Sequence, residues 1–368
     1  MRTLITLFAL TVALAASAQE KILIGQSAPL TGAAAAAGTA FVDGARLYID
    51  QVNRTGGVKG RIIELRTLDD MYVPERAAAN AKSLIDAGAI SLFGFVNTPS
   101  SVAGAKVAVD NRVPFIAPAT GVSSLRQPGN DYVFNVRSSF KDETSHIVSH
   151  LQVLGIKRIG FFSLEIPESK VMFDHMSGLL GKSGQKFFSA VNQPPGKVDL
   201  KKAAEELKPK EVQAVVMFCP GKMCADLIGE IRKQKGSPTF YTISSAGDVF
   251  GDLAAQGVSI AVTQVMPYPW TVGSFPIVAR YRDAMKAAND TRIGYWSLEG
   301  YISAQVLVEG LRRINGNGAP TRAAMLAAMQ SLGHLNLGGF ELTIDRDDHT
   351  GSHYTDLTLA RSGGRYIR

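Results

Sequence analysis

The amino-acid sequence predicts an α/β fold of two doubly wound lobes, each built on a mostly parallel sheet. Short apolar runs alternate with helical segments along the chain, which is typical of βαβ units. The runs are almost continuously apolar, as expected for strands that are covered on both faces. The order of segments also occurs twice, because KILIGQSAP corresponds to KRIGFFSLE, ISLFGFVNTPS to AVVMFCPGKM, and VPFIAPATG to PTFYTISSAG.

The elements follow in order along the chain. The predicted strands of the first series lie at residues 22–25, 62–68, 90–95 and 114–116, with helices at 40–53, 74–87 and 100–111. The predicted strands of the second series lie at residues 158–162, 186–191, 214–218 and 239–243. A further strand, helices at 276–288, 297–315 and 321–331, and a final β ribbon complete the chain. Ligands of such sheets bind outside the carboxyl ends of the strands.

The segments after residue 258 are too small to form a third domain. We therefore expect the chain to return to the first lobe near residues 264–267 and to the second lobe near 342–347. Together with the first connection, these crossings form a three-stranded hinge. The predicted lobe 1 comprises residues 19–138 plus 267–344, and the predicted lobe 2 comprises residues 139–266 plus 345–368.

Residues 1–18 have the features of a cleavable secretory signal. One basic residue precedes an apolar run, and Ala16-Ser17-Ala18 precedes polar residues. The alternative, a membrane anchor, needs about 20 apolar residues, and the run is shorter. No cysteine lies next to the cleavage site, which argues against a lipoprotein. The sequence predicts that the mature chain is exported.

The charge and composition are those of an ordinary globular protein. The formal net charge is +7, with 46% apolar and 19% charged residues. Lysine and arginine are scattered along the chain, which favours a solvated basic surface over a nucleic-acid site. We expect no nucleic-acid partner.

The two cysteines, Cys219 and Cys224, admit two interpretations. Cys219 ends a predicted strand and Cys224 lies in the next helix. They can pair in an oxidising compartment, but two free, packed thiols are the default expectation.

The glycine-rich turn after the first strand is not a phosphate loop. Five residues separate Gly32 from Gly38, where the Walker A motif has four, and no lysine follows the second glycine. GLLGKSG, residues 178–184, follows a helix and is interpreted as a helix end.

Other catalytic and metal-binding motifs are incomplete. No G-x-S-x-G elbow exists, and the two S-x-x-K matches lack their partner motifs. His146 and His150 are four residues apart, as are His349 and His353, but no third ligand accompanies either pair. We expect surface or hinge histidines, no metal, no cofactor and no catalytic activity.

Several segments together resemble a known family. They are IGQSAPLTG, GARLYIDQVNRTGGVKGRIIELRTLDD, VPFIAPATG, VFNVRSS, LGIKRIGFF and SLEGYISAQVLVEGLRR. They are similar, in the same order, to the periplasmic solute-binding proteins of the leucine/isoleucine/valine-binding family. The resemblance implies a type I periplasmic binding fold whose lobes close on a small-molecule ligand. It also implies a partner, the permease of an ABC transporter in the inner membrane. We expect a monomer.

The resemblance also implies where a ligand carboxylate binds. Thr98 matches the position of a hydroxyl donor, and Ala119, Thr120 and Gly121 match positions of backbone N–H donors. The alternative is that Thr98 and Thr120 are capping hydroxyls. Ser27 begins the turn that forms the first wall of the cleft.

The sequence departs from the family at positions that usually carry aromatic rings. These positions are Ala37, Glu168 and Gly221. Glu168 or Asp248 is a candidate partner for an α-ammonium group. The aromatic residues that can refill the pocket, or simply pack, are Trp270, Tyr295 and Trp296. We expect a carboxylate-bearing ligand, either an amino acid or an aromatic or aliphatic acid.

Two functions other than transport are alternatives. The same fold can sense a ligand for a membrane receptor or kinase. An exported hydrolase is disfavoured because no nucleophile with its base is recognised.

Overall fold

The computed structural model describes residues 21–368 except 33, 128, 247–248, 272 and 362–364. The predicted signal segment and Asp248 therefore lie outside the described residues. None of the described helices combines the length and apolar composition needed to cross a bilayer.

The first part of the chain forms a five-stranded parallel sheet in the order β2-β1-β3-β4-β5. Its strands are β1 Lys21–Ala28, β2 Ile62–Asp69, β3 Ser91–Phe93, β4 Phe115–Ile116 and β5 Val133–Phe134. Its helices are α1 Ala35–Arg54, α2 Pro74–Asp86 and α3 Thr98–Asp110, and a short 3₁₀ helix covers Ser123–Arg126. Proline within the first two residues of α2 and α3 suits a helix start, because the N–H it lacks has no intrahelical acceptor there.

The next part forms the second sheet and its helices. The strands are β6 Ile159–Leu164, β7 Ser189–Gln193, β8 Ala214–Phe218, β9 Thr239–Thr242 and β10 Ile260–Gln264. The helices are α4 Phe140–Val153, α5 Pro167–Lys182, α6 Leu200–Glu206, α7 Gly221–Lys233 and α8 Gly251–Ala255. α5 ends just before Gly184, which has φ 70°, so the predicted helix end at GLLGKSG is confirmed.

The last part adds helices to the first half and strands to the second. Its elements are α9 Pro276–Ala287, α10 Tyr295–Arg313, α11 Arg322–Gln330, β11 Gly333–Asn336, β12 Glu341–Ile344, β13 Asp356–Arg361 and β14 Arg365–Ile367. β13 and β14 extend the second sheet in antiparallel fashion, giving the order β14-β13-β10-β9-β8-β6-β7. The predicted α/β fold with two mostly parallel sheets is confirmed.

α1 and α10 pack closely through glycine. A Cβ at Gly44 would overlap the carbonyl oxygen of Ser297, and a Cβ at Gly300 would overlap that of Phe41. Both glycines are fully enclosed in a helix pair, so the close approach of the two backbones requires them.

Two of the segments between the sheets run side by side. Asn135 N donates to His349 O at 2.9 Å, and Ser352 N donates to Val136 O at 3.0 Å. Ser138 Oγ donates to Tyr354 O at 2.5 Å. The third connection between the two halves directly follows β10. These three segments are the only ones through which the described chain passes from one sheet to the other.

The expectation of two free thiols is wrong. Cys219 and Cys224 form a disulfide with a Cα–Cα distance of 5.8 Å. Cys219 directly follows β8 and α7 begins at Gly221, so the first turn of this helix brings Cys224 back beside the strand end. The strand and helix patterns of the sequence do not indicate how close Cys219 and Cys224 lie.

Candidate ligand-binding cleft

A cleft lies between the two sheets at the carboxyl ends of their strands. It has an apolar compartment of about 590 Å³ and a larger compartment of about 850 Å³. Tyr72, Asn97, Pro220 and Ser245 line both compartments, so the two spaces are continuous. Walls from both halves of the molecule meet at the position where open α/β sheets bind ligands.

Two threonine hydroxyls form one polar end of the apolar compartment. Thr98 Oγ1 and Thr120 Oγ1 lie 2.7 Å apart. Thr120 Oγ1 also accepts from Val122 N at 3.2 Å. The pair has two hydroxyl hydrogens and uses one between the oxygens, so one hydrogen remains to donate to a ligand. Thr98 is the first residue of α3, where the helix dipole favours negative charge.

Asn97 is a polar residue of the cleft that the sequence pattern did not single out. It precedes α3 with φ 73°, and its side chain makes no capping hydrogen bond. Its Nδ2 is buried with no acceptor among the described residues, and the residue lines the cleft. The buried Nδ2 is therefore a polar atom without a partner in the described chain beside the cleft, and it is not exposed to the ligand space. An asparagine between a strand end and Thr-Pro was the available sequence signal.

Two of the three predicted backbone N–H donors already donate to carbonyl oxygens of the protein. Ala119 N donates to Phe95 O at 2.8 Å, and Thr120 N donates to Pro118 O at 2.9 Å. Ala119 and Thr120 line the apolar compartment, but Gly121 does not. A Cβ at Gly121 would overlap the Phe140 ring, so this glycine serves packing. The N–H groups of Ala119 and Thr120 are therefore already used within the protein.

Ser27 lies beneath the cleft and lines neither compartment. Its hydroxyl donates to Asp70 Oδ2 at 2.9 Å and accepts from Asn80 Nδ2 at 3.0 Å. Asp70 Oδ1 in turn accepts from Tyr72 N at 2.8 Å. Burial raises the pKa of the Asp70 carboxyl. Ser27 therefore supports the turn that places Tyr72 in the wall of both compartments.

Glu168 lines the apolar compartment but already has partners across the cleft. Its Oε1 accepts from Ser123 N at 3.1 Å and from Ser123 Oγ at 3.0 Å. Burial raises the pKa of its carboxyl. The contact joins α5, which flanks the second sheet, to the 3₁₀ helix beside the first sheet. Gly221 lines the larger compartment, and a Cβ there would overlap the Ala246 carbonyl oxygen.

The rest of the apolar compartment is formed by hydrophobic side chains from both halves. These are Tyr72, Pro74, Pro99, Val102, Ala103, Phe140, Leu164, Ile166, Phe218, Pro220 and Ile243. The disulfide-bonded Cys219 belongs to the same wall. An apolar body held between these walls would contact both halves at once.

Part of the larger compartment is lined by small residues. Ala37 lines it together with neighbouring alanines of α1, and Trp296 lies on the opposite wall. Trp270 and Tyr295 do not line it; they pack edge to face, with ring centres 5.3 Å apart, in a cluster with Tyr268 and Tyr366. Of the three aromatic residues that we expected to refill the pocket, Trp296 alone lines either compartment.

A buried charge cluster lies where the first connection leaves the first sheet. Arg137 lies 3.7 Å from a Glu143 oxygen and 3.4 Å from a Glu299 oxygen, and all three side chains are almost fully buried. Its guanidinium lies 5.7 Å from the centre of the Trp296 ring. Burial raises the pKa of both carboxyls, against the opposing effect of Arg137. The cluster links α4 on the second half to α10 on the first.

The histidine pairs make hydrogen bonds within the protein. The partners are Thr355 for His146, Tyr241 for His150, the Val133 carbonyl for His349 and Asp142 for His353. The described part of the chain contains no group of three or more His, Cys, Asp or Glu residues able to hold a metal ion.

Two α/β halves that meet at a cleft, linked by three connections, define a two-lobed ligand-binding protein. A family model for periplasmic binding proteins matches residues 21–365. The chain belongs to this family, which confirms the family predicted from the sequence.

Individual relatives and a solved structure are consistent with this family. The chain is 28% identical over 188 residues to Leu/Ile/Val-binding protein homolog 3 of Brucella melitensis, an alignment covering 50% of this chain and 48% of the relative. It is 23% identical to Leu/Ile/Val-binding protein homolog 7 of Brucella abortus, over 92% of this chain and 89% of the relative. The chain thus spans about half the length of the first relative and most of the second. The crystal structure of a possible leucine/isoleucine/valine-binding protein from Rhodopirellula baltica superimposes with a TM-score of 0.85 at 26% identity, covering 95% of this chain and 96% of that one.

Proposed function

We propose that this protein is the solute-binding component of an ABC importer. It closes two lobes around a small carboxylate-bearing ligand, an amino acid or an aromatic or aliphatic acid, and delivers it to a permease in the inner membrane. The supporting observation is the Thr98–Thr120 hydroxyl pair, an uncharged donor in the wall of an apolar cleft. The names of the Leu/Ile/Val-binding relatives support the same ligand class.

The proposed lobes have the boundaries expected from the sequence. Lobe 1 comprises residues 19–138 plus 267–344, and lobe 2 comprises residues 139–266 plus 345–368. The side-by-side course of the segments near residues 135–138 and 349–354 supports a hinge there. Rotation about the three connections would bring the Ile166 and Val102 sides of the cleft together over the ligand.

We further propose that residues 1–18 direct export to the periplasm and that the protein acts as a monomer without a cofactor. It binds its ligand unchanged and performs no reaction on it. Membership of the periplasmic binding protein family supports both the compartment and the binding role.

A thermal-shift panel of amino acids and of aromatic and aliphatic acids tests the proposal. A ligand present at about 100 times its dissociation constant adds roughly 2.7 kcal/mol of stability. Deleting the gene should then abolish cellular uptake of the compound that binds. Conversion of a bound compound to product would contradict the binding role, and unchanged uptake would contradict transport.

A further inference from the structure

We propose that Tyr72 determines the ligand specificity of the cleft, with its ring packed on the apolar body of the bound compound. This inference rests on the proposed function and adds a residue to the same site. Tyr72 is none of the aromatic residues that the sequence offered to refill the pocket. The place of Tyr72 in the cleft, the conformation of its backbone and the freedom of its side chain each point to this role.

Tyr72 lies where the two compartments of the cleft meet. Tyr72 and Asn97 from the first half, and Pro220 and Ser245 from the second, line both compartments. Tyr72 has the largest side chain of the four, and it is 39% exposed. A ligand that fills the apolar compartment and extends toward the larger one must pass this residue. A tyrosine ring offers a large apolar surface to such a ligand.

The backbone of Tyr72 adopts a conformation that tyrosine rarely takes. Met71 has φ 53° and Tyr72 has φ 65°, so two consecutive residues that carry a Cβ lie in the left-handed region. Such a conformation costs free energy and persists only where the surrounding structure enforces it, which is common at ligand-binding sites.

Two neighbouring carboxyl groups enforce this turn. Asp69 Oδ1 accepts from Met71 N at 2.9 Å, and Asp70 Oδ1 accepts from Tyr72 N at 2.8 Å. The side chain of Asp70 is buried, and its Oδ2 accepts from the Ser27 hydroxyl. A buried carboxyl group is costly unless it is hydrogen-bonded. The fold thus spends a buried acid and a strained backbone on holding an exposed ring in the cleft wall.

The side chain of Tyr72 is free to contact a ligand. Among the described residues, none forms a hydrogen bond with its hydroxyl or a ring contact with its aromatic face. Partial burial raises the pKa of the hydroxyl, so this group stays protonated at neutral pH and can donate a hydrogen bond. Binding a ligand therefore breaks no side-chain bond of Tyr72.

Two series of compounds measure the proposed contact, because the members of each series share their polar groups and differ in their apolar body. L-alanine is compared with L-leucine and L-phenylalanine, and propionate with 4-methylpentanoate and 3-phenylpropionate. Titration calorimetry on the mature protein, freed of co-purified ligand, gives the preference for the larger body in each series. Tyr72→Ala should reduce this preference by about tenfold. Tyr72→Phe keeps the ring and should reduce it by less than about threefold.

Met71→Ala is the matched control. Met71 is adjacent, has the same left-handed conformation and is 43% exposed, but it lines neither compartment. This variant should keep the affinities of the wild type for every compound.

Tyr72→Gly separates binding from folding. Glycine adopts the left-handed conformation without the steric cost of a Cβ. The urea midpoint of this variant should therefore not fall, although its preference for the larger body should fall as in Tyr72→Ala. A lower urea midpoint together with a wild-type preference would show that Tyr72 serves folding, and the inference would be wrong.

The outcomes separate this inference from the proposed function. An unchanged preference in Tyr72→Ala, or an equal loss in Met71→Ala, overturns the inference and leaves the binding role intact. Failure of all these compounds to bind the wild-type protein would count against the proposed function, and the inference would fall with it.

Discussion

The shared hydroxyl hydrogen of Thr98 and Thr120 predicts an unusual pattern of affinities. Replacing both residues by valine removes the donor and should cost one charge-assisted hydrogen bond, about 1.5–3 kcal/mol. This corresponds to about 10- to 150-fold weaker binding. Each single valine variant leaves one hydroxyl whose hydrogen is free, because its partner oxygen is gone. We therefore expect each single change to weaken binding by less than about fivefold, so that the two effects are strongly non-additive.

The two single variants should differ in stability. Thr120→Val leaves the Val122 N–H without its acceptor, whereas Thr98→Val strands no protein group in this way. Calorimetric titration with the compound that the thermal-shift panel identifies measures the affinities, and urea denaturation measures the stabilities. Thr358→Val is the matched control, because Thr358 Oγ1 is buried in the second sheet, bonded to a carbonyl, and lines neither compartment. Wild-type affinity in the double variant would show that the hydroxyl pair does not anchor the ligand. If each single variant bound the ligand as weakly as the double variant, the explanation by a shared hydroxyl hydrogen would be wrong.

Three further predictions concern stability. Gly300→Ala should destabilise the protein by at least about 1–3 kcal/mol, because it forces α1 and α10 apart. Gly178 has open space around it, so Gly178→Ala should stabilise the protein by about 0.5–1 kcal/mol. Equal urea midpoints for the two variants would contradict the close packing of α1 and α10. Serine at Cys219 and Cys224 should cost about 2 kcal/mol by the chain-entropy relation for a short loop, and reductant should then shift the melting temperature of the wild type alone. Burial raises the pKa of Glu299, so its contribution to stability is fully present below its ordinary pKa of 4.5 and is lost as pH rises through the folded value. Glu299→Gln should lack this loss as pH rises above 4.5. Parallel stability profiles of the two proteins would show that the buried carboxyl does not titrate this way.

The sequence predicted the fold class because periodicity and strand burial are local properties. Nearly continuous apolar runs such as 214–218 can be recognised without knowing their neighbours, and their repetition in two series indicated two similar halves. The position of Thr98 after a strand and at a helix start was recognisable in the same way. The disulfide was not, because strand and helix patterns give no distance between Cys219 and Cys224.

The chemistry of the cleft depended on partners that are distant in the chain. Ser27 and Gly121 lie near the expected positions, yet hydrogen bonds to Asp70 and packing on Phe140 keep both out of the cavity wall. Sequence placed Glu168 as a possible ligand partner, but its partner Ser123 comes from the other half of the molecule.

What the sequence by itself determined is the architecture, which follows from repeated local patterns, and the family, which follows from the matching segments. Only the tertiary structure decided which polar groups remain free to bind a ligand. One hydroxyl hydrogen of the Thr98–Thr120 pair remains free because the other lies between the two oxygens and because the Val122 N–H donates to Thr120 Oγ1. Such a balance of donors and acceptors is set by contacts across the fold, and those contacts form only when the strands and helices of both halves have assembled.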